Sequence, residues 1–239
     1  MTDHHDQHGT VVVTGAAGGI GRAITTELLH RGYGVLGVDL ADTVVEDLAA
    51  MGERARGVRA DLTSGDGRAI VLDVLDDVEV AGLVNGAGIT RDGLLRDLDD
   101  DAVGLVLEVN AVAGAHLAEA LAPRIADGGA IVNIASRAAL GNVGQVNYAT
   151  SKGMLIGLSR ALARRLAPRV RVNAVAPGLI ATDMTAAMPD KVLDKLVSRV
   201  PLARMGEPAE VATAVAELLG PSSAYVTGQT VYVCGGRSI

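Results

Sequence analysis

A tyrosine and a lysine four positions apart are the residues of this chain best suited to proton chemistry. Tyr148 and Lys152 fall in a segment with helical periodicity, so both side chains would share one helix face. A free phenol, with a pKa of about 10, is a poor base at neutral pH, and we expect the neighbouring ammonium to lower that pKa. Ser136 is the last hydroxyl side chain before Asn147 and is a candidate for holding a carbonyl oxygen. These residue types predict acid–base chemistry at a carbonyl or alcohol.

A glycine cluster follows the first apolar run of the chain and opens a helical pattern. The segment Thr14–Gly21 reads T-G-A-A-G-G-I-G after the run Val11–Val13. Glycine permits a tight turn and lets backbone N–H groups approach a pyrophosphate at a helix N-terminus. Any strand-to-helix turn favours glycine, but here a second strand pattern follows and ends on an acid, Asp39. The context predicts a dinucleotide-binding site.

The elements that must position these residues alternate between strand and helix patterns. Helical periodicity separates seven apolar runs, which predict strands at Thr10–Thr14, Gly34–Asp39, Gly57–Ala60, Gly82–Asn85, Ala130–Ala135, Arg171–Val175 and Thr230–Val233. This rhythm predicts an α/β fold, a single Rossmann-like doubly wound domain with a seven-stranded parallel sheet. Residues 179–204 interrupt the rhythm after the sixth strand, where open α/β sheets bind ligands, and we expect them to form a small, mobile helical substrate lid. The domain would span residues 10–239, after a flexible tail at residues 1–9.

Composition narrows the functional class. The chain has 239 residues, 49% of them hydrophobic but none of them Phe or Trp, which predicts an aliphatic core. A net charge of −7 argues against nucleic-acid binding, and Cys234 is the only cysteine, so no disulfide or cysteine-built metal site is expected. Three histidines in the tail could form a metal-binding arm, but a frayed end is the simpler interpretation, so we expect no metal. No apolar run reaches transmembrane length and the N-terminus is not signal-like, which favours the cytoplasm.

Together the motifs resemble the short-chain dehydrogenase/reductase family, over essentially Val11 to Gly236. The spacing T-G-x-x-x-G-x-G, the Tyr148-x-x-x-Lys152 pair and the run N-A-V-A-P-G ending at Gly178 carry the resemblance. It implies that Asn110, Ser136, Tyr148 and Lys152 are catalytic, with Asn110 holding a proton-relay water and Lys152 also binding the nicotinamide ribose. It further implies a cofactor site made of Gly15, Gly18, Gly19, Ile20, Gly21, Asp39, Asp61, Leu62, Asn85, Gly86, Ala87, Gly88, Tyr148, Lys152, Pro177, Gly178 and Thr182.

The sequence departs from the family pattern at two places. The step from Ser136 to Tyr148 is one residue shorter than usual, so the serine could be displaced. Gly86 replaces the second asparagine of the family's N-N-A-G motif. Neither departure removes a catalytic group.

Three further segments look like the 3-oxoacyl-acyl-carrier-protein reductase branch: Gly88–Asp92 with the leucine pair after it, Gly144–Tyr148, and Thr182–Met184. The resemblance implies reduction of a 3-oxoacyl thioester carried by acyl carrier protein or CoA. Arg124 and Arg169 lie near the positions where that branch docks its acidic carrier protein, although each could equally be a solvated helix-end arginine.

Asp39 indicates a preference for NAD(H), because a carboxylate accepts hydrogen bonds from ribose hydroxyls and repels a 2′-phosphate. The positions from which a Lys or Arg could bind a 2′-phosphate hold Gly18, Leu40 and Ala41 instead. Arg59 could still offset the repulsion, so NADP(H) remains a possible cofactor. The alternative function is therefore an NAD-dependent 3-hydroxyacyl-CoA or other secondary-alcohol dehydrogenase. A non-catalytic cofactor-sensing protein is a remote third class, since such a protein would not need all four catalytic residues.

The helix that follows Tyr148 predicts an oligomer. Its apolar positions cover more surface than one packing face requires, although the whole stripe could instead pack on the sheet: Met154, Leu155, Ile156, Leu158, Leu162 and Leu166. Similar family members pair such helices across a two-fold axis, which implies a homotetramer.

Overall fold

A seven-stranded, wholly parallel sheet forms the centre of the computed structural model, which describes residues 8–239 apart from the side chains of Asp183 and Met184. The strands run in the order β3-β2-β1-β4-β5-β6-β7. They are β1 (Thr10–Thr14), β2 (Gly34–Asp39), β3 (Ala55–Arg59), β4 (Val80–Asn85), β5 (Ile125–Ile134), β6 (Arg171–Pro177) and β7 (Thr230–Val233). The predicted doubly wound α/β fold is confirmed, and the order reverses between β1 and β4, where such sheets bind ligands. Most of the predicted tail lies outside the described residues.

Helices cover both faces of the sheet. They are α1 (Gly19–His30), α2 (Val44–Ala49), α3 (Gly65–Val74), α4 (Asp100–Leu107), α5 (Ala113–Leu121), α6 (Val146–Leu166), α7 (Asp183–Ala186), α8 (Asp190–Val197) and α9 (Pro208–Leu219). Val11 and Val13 of β1 pack with α1, α2 and α9, whereas Val12 packs with α3, α5 and α6 on the other face. Strand side chains alternate between faces, so a run of valines supplies both cores.

The helical segment over residues 100–121 contains an irregular turn. Residues Glu108–Val112 between α4 and α5 form a π-helical turn, a feature often found at functional sites. An 18-residue window within Asp100–Leu121 has a mean hydropathy of 1.3, so by length and composition alone this segment could cross a membrane, a match that the sequence analysis did not expect. Its residues pack against the sheet and α6, which assigns the stretch to the domain.

The segment predicted as a lid contains two short helices, α7 and α8, and hydrogen bonds join its two ends. Ala181 donates its N–H to the carbonyl of Gly206 at 2.8 Å, and Gly206 donates to the carbonyl of Leu179 at 2.9 Å. The two ends of the segment that contains these helices are therefore held together beside the end of β6. The mobility of the lid stays a prediction.

Candidate active site

The glycine-rich turn between β1 and α1 fits a dinucleotide pyrophosphate. Gly15 has a φ of 72°, and a Cβ there would lie 2.8 Å from the backbone of Gly86, so only glycine fits. Helix α1 begins at Gly19 after the N-cap Gly18, whose lack of a side chain leaves the first-turn N–H groups without a side-chain cap. The turn thus offers backbone donors and the positive end of a helix to an anion, as this cofactor requires.

The missing second asparagine of the N-N-A-G motif has a steric explanation in this chain. A Cβ at Gly86 would lie 2.6 Å from the carbonyl oxygen of Thr14. The Thr14 hydroxyl also accepts hydrogen bonds from the N–H groups of Gly86 and Ala87, at 3.0 and 3.1 Å. The end of β1 and the loop after β4 are therefore joined through the Thr14 hydroxyl, and a larger residue at position 86 would push them apart.

Asn85 holds this corner from inside the protein. Its Nδ2 donates to the Oδ1 of Asn133 on β5 at 2.8 Å and to the carbonyl of Gly114 at 3.2 Å. Asn133 in turn donates to the hydroxyl of Ser159 on α6 at 2.8 Å. Because the side chain of Asn85 is buried in this network, it positions the loop that ends at Gly88.

At the adenosine end, the carboxylate of Asp39 is fixed by two backbone N–H groups. Its two oxygens accept from Ala17 at 3.0 Å and from Ala41 at 3.1 Å. The guanidinium of Arg59 pairs with Asp42 at 2.9 Å and donates to the carbonyl of Leu40, so it is turned away from Asp39. Asp39 therefore stands at the end of β2 without a compensating cation from Arg59.

Asp61 and Leu62 follow β3 on the same edge. One oxygen of Asp61 accepts from the hydroxyl and the N–H of Thr63, at 2.7 and 3.0 Å, and these bonds lower the pKa of the carboxyl. Leu62 is buried, whereas Asp61 is exposed. The pair forms a fixed, charged corner beside the predicted adenine position.

Asn110 lies on the π-helical turn, which directs its amide toward the sheet edge. Its Oδ1 accepts from the N–H of Ile89 at 2.7 Å, and its Nδ2 donates to the carbonyl of Ile89 and to the hydroxyl of Ser151, both at 3.0 Å. A Cβ at Gly88 would lie 3.3 Å from this Oδ1 and 3.2 Å from the Nζ of Lys152. The structure thus brings Asn110, Gly88 and Lys152 together.

Ser151 is a site residue that the sequence analysis missed. It is fully buried, and its hydroxyl accepts from Asn110 while donating to the carbonyl of Tyr148 at 2.7 Å. It lies one turn after Tyr148 and directly before Lys152, so helical spacing around the tyrosine could have pointed to it. Ser151 links the π-helical turn to the helix that carries the proposed acid–base pair.

Lys152 is buried, and its ammonium donates to the carbonyl of Ile134 at 2.9 Å. Burial lowers the pKa of Lys152 to about 8. Its Nζ lies 5.6 Å from the centre of the Tyr148 ring. The lysine is thus adjacent to the tyrosine, as its spacing predicts, and its charge is held at the carboxyl end of β5.

The expected lowering of the Tyr148 pKa is wrong in direction. Burial raises the pKa of the Tyr148 phenol, a hydrogen bond with Ser136 lowers it by less, and the charge of Asp92 raises it further. Removal from water disfavours phenolate, and the ammonium of Lys152, engaged with a backbone carbonyl, does not reverse this. At neutral pH the phenol is therefore protonated and can donate a proton.

The short step between Ser136 and Tyr148 still brings the two hydroxyl groups together. Ser136 caps a short 3-10 helix, Arg137–Leu140, by accepting from the N–H of Ala138 at 3.1 Å. The loop then bends at Gly141 and Gly144, which have φ values of 104° and 78°. The hydrogen bond between Ser136 and Tyr148 shows that the serine stays within reach of the tyrosine despite the shorter step.

Three hydrogen bonds connect the segment after β4 to the start of α6 at the mouth of the site. Gly93 donates its N–H to the carbonyl of Gly144 at 2.8 Å, and Gln145 donates to the carboxylate of Asp92 at 2.8 Å. The Nδ2 of Asn147 reaches the carbonyl of Arg91, also at 2.8 Å. The segment after β4 and the start of α6 are therefore tied together around Tyr148.

The remaining predicted cofactor residues lie at the end of β6. A Cβ at Gly178, which follows Pro177, would lie 2.7 Å from the Cα of Cys234, so the chain passes close to the end of β7 there. Thr182 lies beside the first turn of α1, where a Cβ on Gly19 would be 3.3 Å from its Cγ2. Thr182 is thus placed to meet a cofactor bound at the glycine-rich turn.

The two predicted docking arginines lie at the amino ends of the strands, whereas Tyr148 lies beyond their carboxyl ends. Arg124 directly precedes β5 and pairs with Asp76 at 3.0 Å. Arg169 precedes β6, donates to the carbonyls of Ile125 and Ala122, and lies 3.6 Å from an oxygen of Asp127. The structure brings the arginines near each other, but not beside the active-site mouth of the same chain, because Ser136 and Tyr148 follow the carboxyl end of β5.

No group of three His, Cys, Asp or Glu side chains within residues 8–239 is arranged to hold a metal ion.

Comparisons with known proteins agree with this geometry. The family model described as Enoyl-(Acyl carrier protein) reductase matches residues 15–238. A protein of Staphylococcus epidermidis named 3-oxoacyl-(acyl-carrier-protein) reductase FabG is 38% identical over 95% of this chain and 98% of its own length. A protein of the same name from Vibrio cholerae is 38% identical over 94% of this chain and 95% of its own.

A solved structure has the same fold as this chain. The crystal structure of a short-chain dehydrogenase/reductase, titled Glucose/ribitol dehydrogenase, from Brucella melitensis superposes with a TM-score of 0.91 at 34% identity, covering 95% of this chain and 96% of that one. With its parallel sheet, glycine-rich turn and Tyr148–Lys152 pair, this chain belongs to the short-chain dehydrogenase/reductase family.

Proposed function

We propose that this protein reduces 3-oxoacyl thioesters to 3-hydroxyacyl thioesters with NADH. The observation that carries the proposal is the half-buried, protonated phenol of Tyr148 beside Ser136, at the sheet edge where the glycine-rich turn would hold a nicotinamide cofactor. The printed names of the relatives supply the substrate class.

The chain's own residues account for the proton and for the orientation of the substrate. The nicotinamide, when bound, supplies the hydride to the carbonyl carbon. Ser136 donates a hydrogen bond to the carbonyl oxygen, and Tyr148 gives that oxygen its proton. Lys152, whose pKa is about 8, carries a positive charge at neutral pH and stabilises the phenolate left behind. Asn110, held by Ile89 and Ser151, fixes the π-helical turn against this group.

The alternative function, oxidation of a 3-hydroxyacyl-CoA or another secondary alcohol, needs Tyr148 as a base. Burial raises the pKa of this phenol, which favours the protonated form and so supports reduction. The third class, a non-catalytic cofactor sensor, would have no use for a preassembled Asn110, Ser136, Tyr148 and Lys152. Their assembly at one sheet edge supports an enzyme.

NAD(H) is the cofactor that we propose. Asp39 faces the predicted adenosine ribose with both oxygens fixed by backbone N–H groups, so it cannot readily turn away from a 2′-phosphate. Arg59, which could offset its charge, is paired with Asp42. The exposed pair of Arg59 and Asp42 is weak enough to break, and NADP(H) is the competing outcome in the assay.

The deciding experiment is a panel of substrates with both cofactors. Acetoacetyl-CoA and acetoacetyl-carrier protein are tested as oxidants of NADH and NADPH by absorbance, and 3-hydroxybutyryl-CoA and simple secondary alcohols as reductants of NAD and NADP. Turnover of the keto thioesters with NADH, at higher kcat/KM than any alcohol oxidation, is expected. Turnover of alcohols alone would establish the dehydrogenase alternative.

The proposal extends to assembly and location. Leu155 and Leu162 of α6 are buried against the sheet, whereas Met154 is 41% exposed and nothing lies within 4 Å of a Cβ placed on Gly153 or Gly157. This open face supports pairing of α6 helices in a homotetramer. Light scattering should give four times the chain mass of 24.3 kDa, and a mass of one chain would contradict the assembly. The cytoplasm is the proposed location.

The proposal includes docking of an acidic carrier protein on Arg124 and Arg169. In one chain both arginines are neutralised and lie far from the mouth, so a direct role requires a neighbouring subunit's active site. The double variant R124Q/R169Q tests it. Lower kcat/KM for acetoacetyl-carrier protein, with acetoacetyl-CoA unaffected, would support docking there.

A further inference from the structure

Three arginines lie on neighbouring segments of backbone at the rim of the proposed active site. Arg137 directly follows Ser136, and its Nε donates to the backbone carbonyl of Arg237 at 3.3 Å. Arg199 follows helix α8 at the end of the lid and is exposed. The three guanidinium groups thus come from the loop after β5, the lid and the segment after β7.

The backbone around these arginines is tightly packed. Leu202 donates its N–H to the carbonyl of Gly235 at 3.1 Å, and a Cβ at Gly236 would lie 2.9 Å from the ring of Pro201. Arg237 donates its own N–H to the carbonyl of Cys234 at 3.1 Å. The segment after β7 is thereby fixed against the end of the lid, so the cluster is held in place by its backbone.

The cluster has no neutralising acid among the described side chains of residues 8–239. Arginines elsewhere in the chain, such as Arg22 and Arg204, pair with carboxylates at 2.6 Å. Burial lowers the pKa of Arg237, and the charges of Arg137 and Arg199 lower it further. In a protein with a net charge of −7, an accumulation of unpaired positive charge at one rim favours an anionic ligand.

We propose that Arg137, Arg199 and Arg237 bind the phosphate group of the pantetheine arm that carries the substrate thioester. This inference rests on the proposed function. Guanidinium groups match phosphate oxygens in geometry and charge, and a fixed backbone reduces the entropy cost of binding. The phosphate is separated from the reacting carbonyl by the whole pantetheine chain, which agrees with a site at the rim, beyond Ser136. The same phosphate chemistry is present in phosphopantetheine on a carrier protein and in CoA.

The test removes charge from two of the arginines and varies the phosphate of the substrate. Arg137 also donates to the carbonyl of Gly141, in the loop that carries Ser136, so it is left intact. The variant R199Q/R237Q is compared with wild type on acetoacetyl-carrier protein, acetoacetyl-CoA and acetoacetyl-N-acetylcysteamine, which contains no phosphate. The matched control is R56Q, which removes an exposed, unpaired arginine from edge strand β3 at the far side of the sheet.

The expected result is a loss of about three- to thirtyfold in kcat/KM for the two phosphate-containing thioesters, with the phosphate-free thioester within about twofold of wild type. As a binding readout, 4′-phosphopantetheine should inhibit wild type more strongly than pantetheine does, and the difference should disappear in R199Q/R237Q. R199K/R237K should retain most of the wild-type kcat/KM.

A loss confined to one phosphate-containing substrate identifies carrier protein or CoA as the natural source and still supports the site. Equal losses on all three thioesters, or no loss on any, would overturn it. If wild type turns over no keto thioester, the proposed function has failed instead, and the comparison of phosphopantetheine with pantetheine still decides whether the arginines bind phosphate.

Discussion

The catalytic end and the adenosine end of the cofactor site are built in different ways. At the catalytic end, Asn110, Ser151 and Lys152 are buried and joined by hydrogen bonds that involve four separate segments of the chain. At the adenosine end, Asp39 and Asp61 are partly or fully exposed and bonded to backbone or side chains nearby. The proposed acid–base group is thus fixed by the interior of the fold, whereas the proposed cofactor preference depends on a few replaceable surface groups.

The largest effect should come from deleting the phenolic oxygen at the catalytic end. Tyr148→Phe removes the proton donor while leaving the glycine-rich turn intact, and kcat should fall by about a hundredfold to ten-thousandfold. Binding of NADH, followed by fluorescence, should change little. Tyr225→Phe is the control, because that tyrosine is fully exposed. Wild-type turnover in Tyr148→Phe would contradict the assignment.

At the adenosine end, Asp39→Ala should change which cofactor is preferred. Wild type should favour NADH in kcat/KM by about ten- to a thousandfold, because the fixed carboxylate accepts from ribose hydroxyls and repels a 2′-phosphate. The variant should lose most of this preference. Glu46→Ala removes the same charge from an exposed position in the first turn of α2 and should change it much less. A wild type that already prefers NADPH would show that Asp39 does not discriminate.

The buried charge of Lys152 should lower the free energy of unfolding at neutral pH, although the proposed reaction needs that charge. Burial lowers its pKa from 10.5 to about 8, so the charged form is less favourable in the folded protein than in the unfolded chain. The penalty is complete below pH 8 and fades as pH rises toward the unfolded value, so stability gains with pH over that interval. Lys152→Met should therefore raise the free energy of unfolding at pH 7 by about 1–3 kcal/mol while abolishing most activity.

Urea unfolding at pH 7 and pH 9.5 measures this gain, which should be smaller at the higher pH. The control, Lys191→Met, replaces an exposed lysine and should change stability little at either pH. A Lys152→Met protein that is less stable than wild type at pH 7 would show that the bond to Ile134 outweighs the desolvation of the ammonium.

Sequence patterns predicted the elements better than the electrostatics. Apolar runs located all seven strands because burial on both sheet faces demands continuous aliphatic residues, and helical spacing placed Lys152 beside Tyr148. The direction of the Tyr148 pKa was wrong, because desolvation depends on burial by segments far away in the chain. The π-helical turn at Asn110 was not predicted, since its residues continue the apolar periodicity of a regular helix.

Other details required the fold itself. Arg124 and Arg169 could be matched to family positions. Only the strand directions show that they lie at the amino ends of the strands, whereas Ser136 follows a carboxyl end. From the sequence Gly86 was only a departure from the family's N-N-A-G motif, whereas the close approach of Thr14 explains it sterically. Contacts between loops after non-consecutive strands leave no local periodicity, which is why these points could not be inferred earlier.

The smallest predicted effect concerns Ser151, which connects the two sides of the catalytic end. Ser151→Ala removes the acceptor for the Nδ2 of Asn110 and the donor to the carbonyl of Tyr148, while Asn110 keeps both bonds to Ile89. We expect kcat to fall about two- to fivefold with little change in KM, and stability to fall by about 1 kcal/mol. Ser159→Ala is the matched control, because it removes another buried α6 hydroxyl that accepts from an asparagine and donates to a helix carbonyl. It should cost similar stability with a smaller loss of kcat. Equal losses of kcat in the two variants would mean that Ser151 acts only through helix stability, and that Asn110 is positioned by the π-helical turn and Ile89 alone.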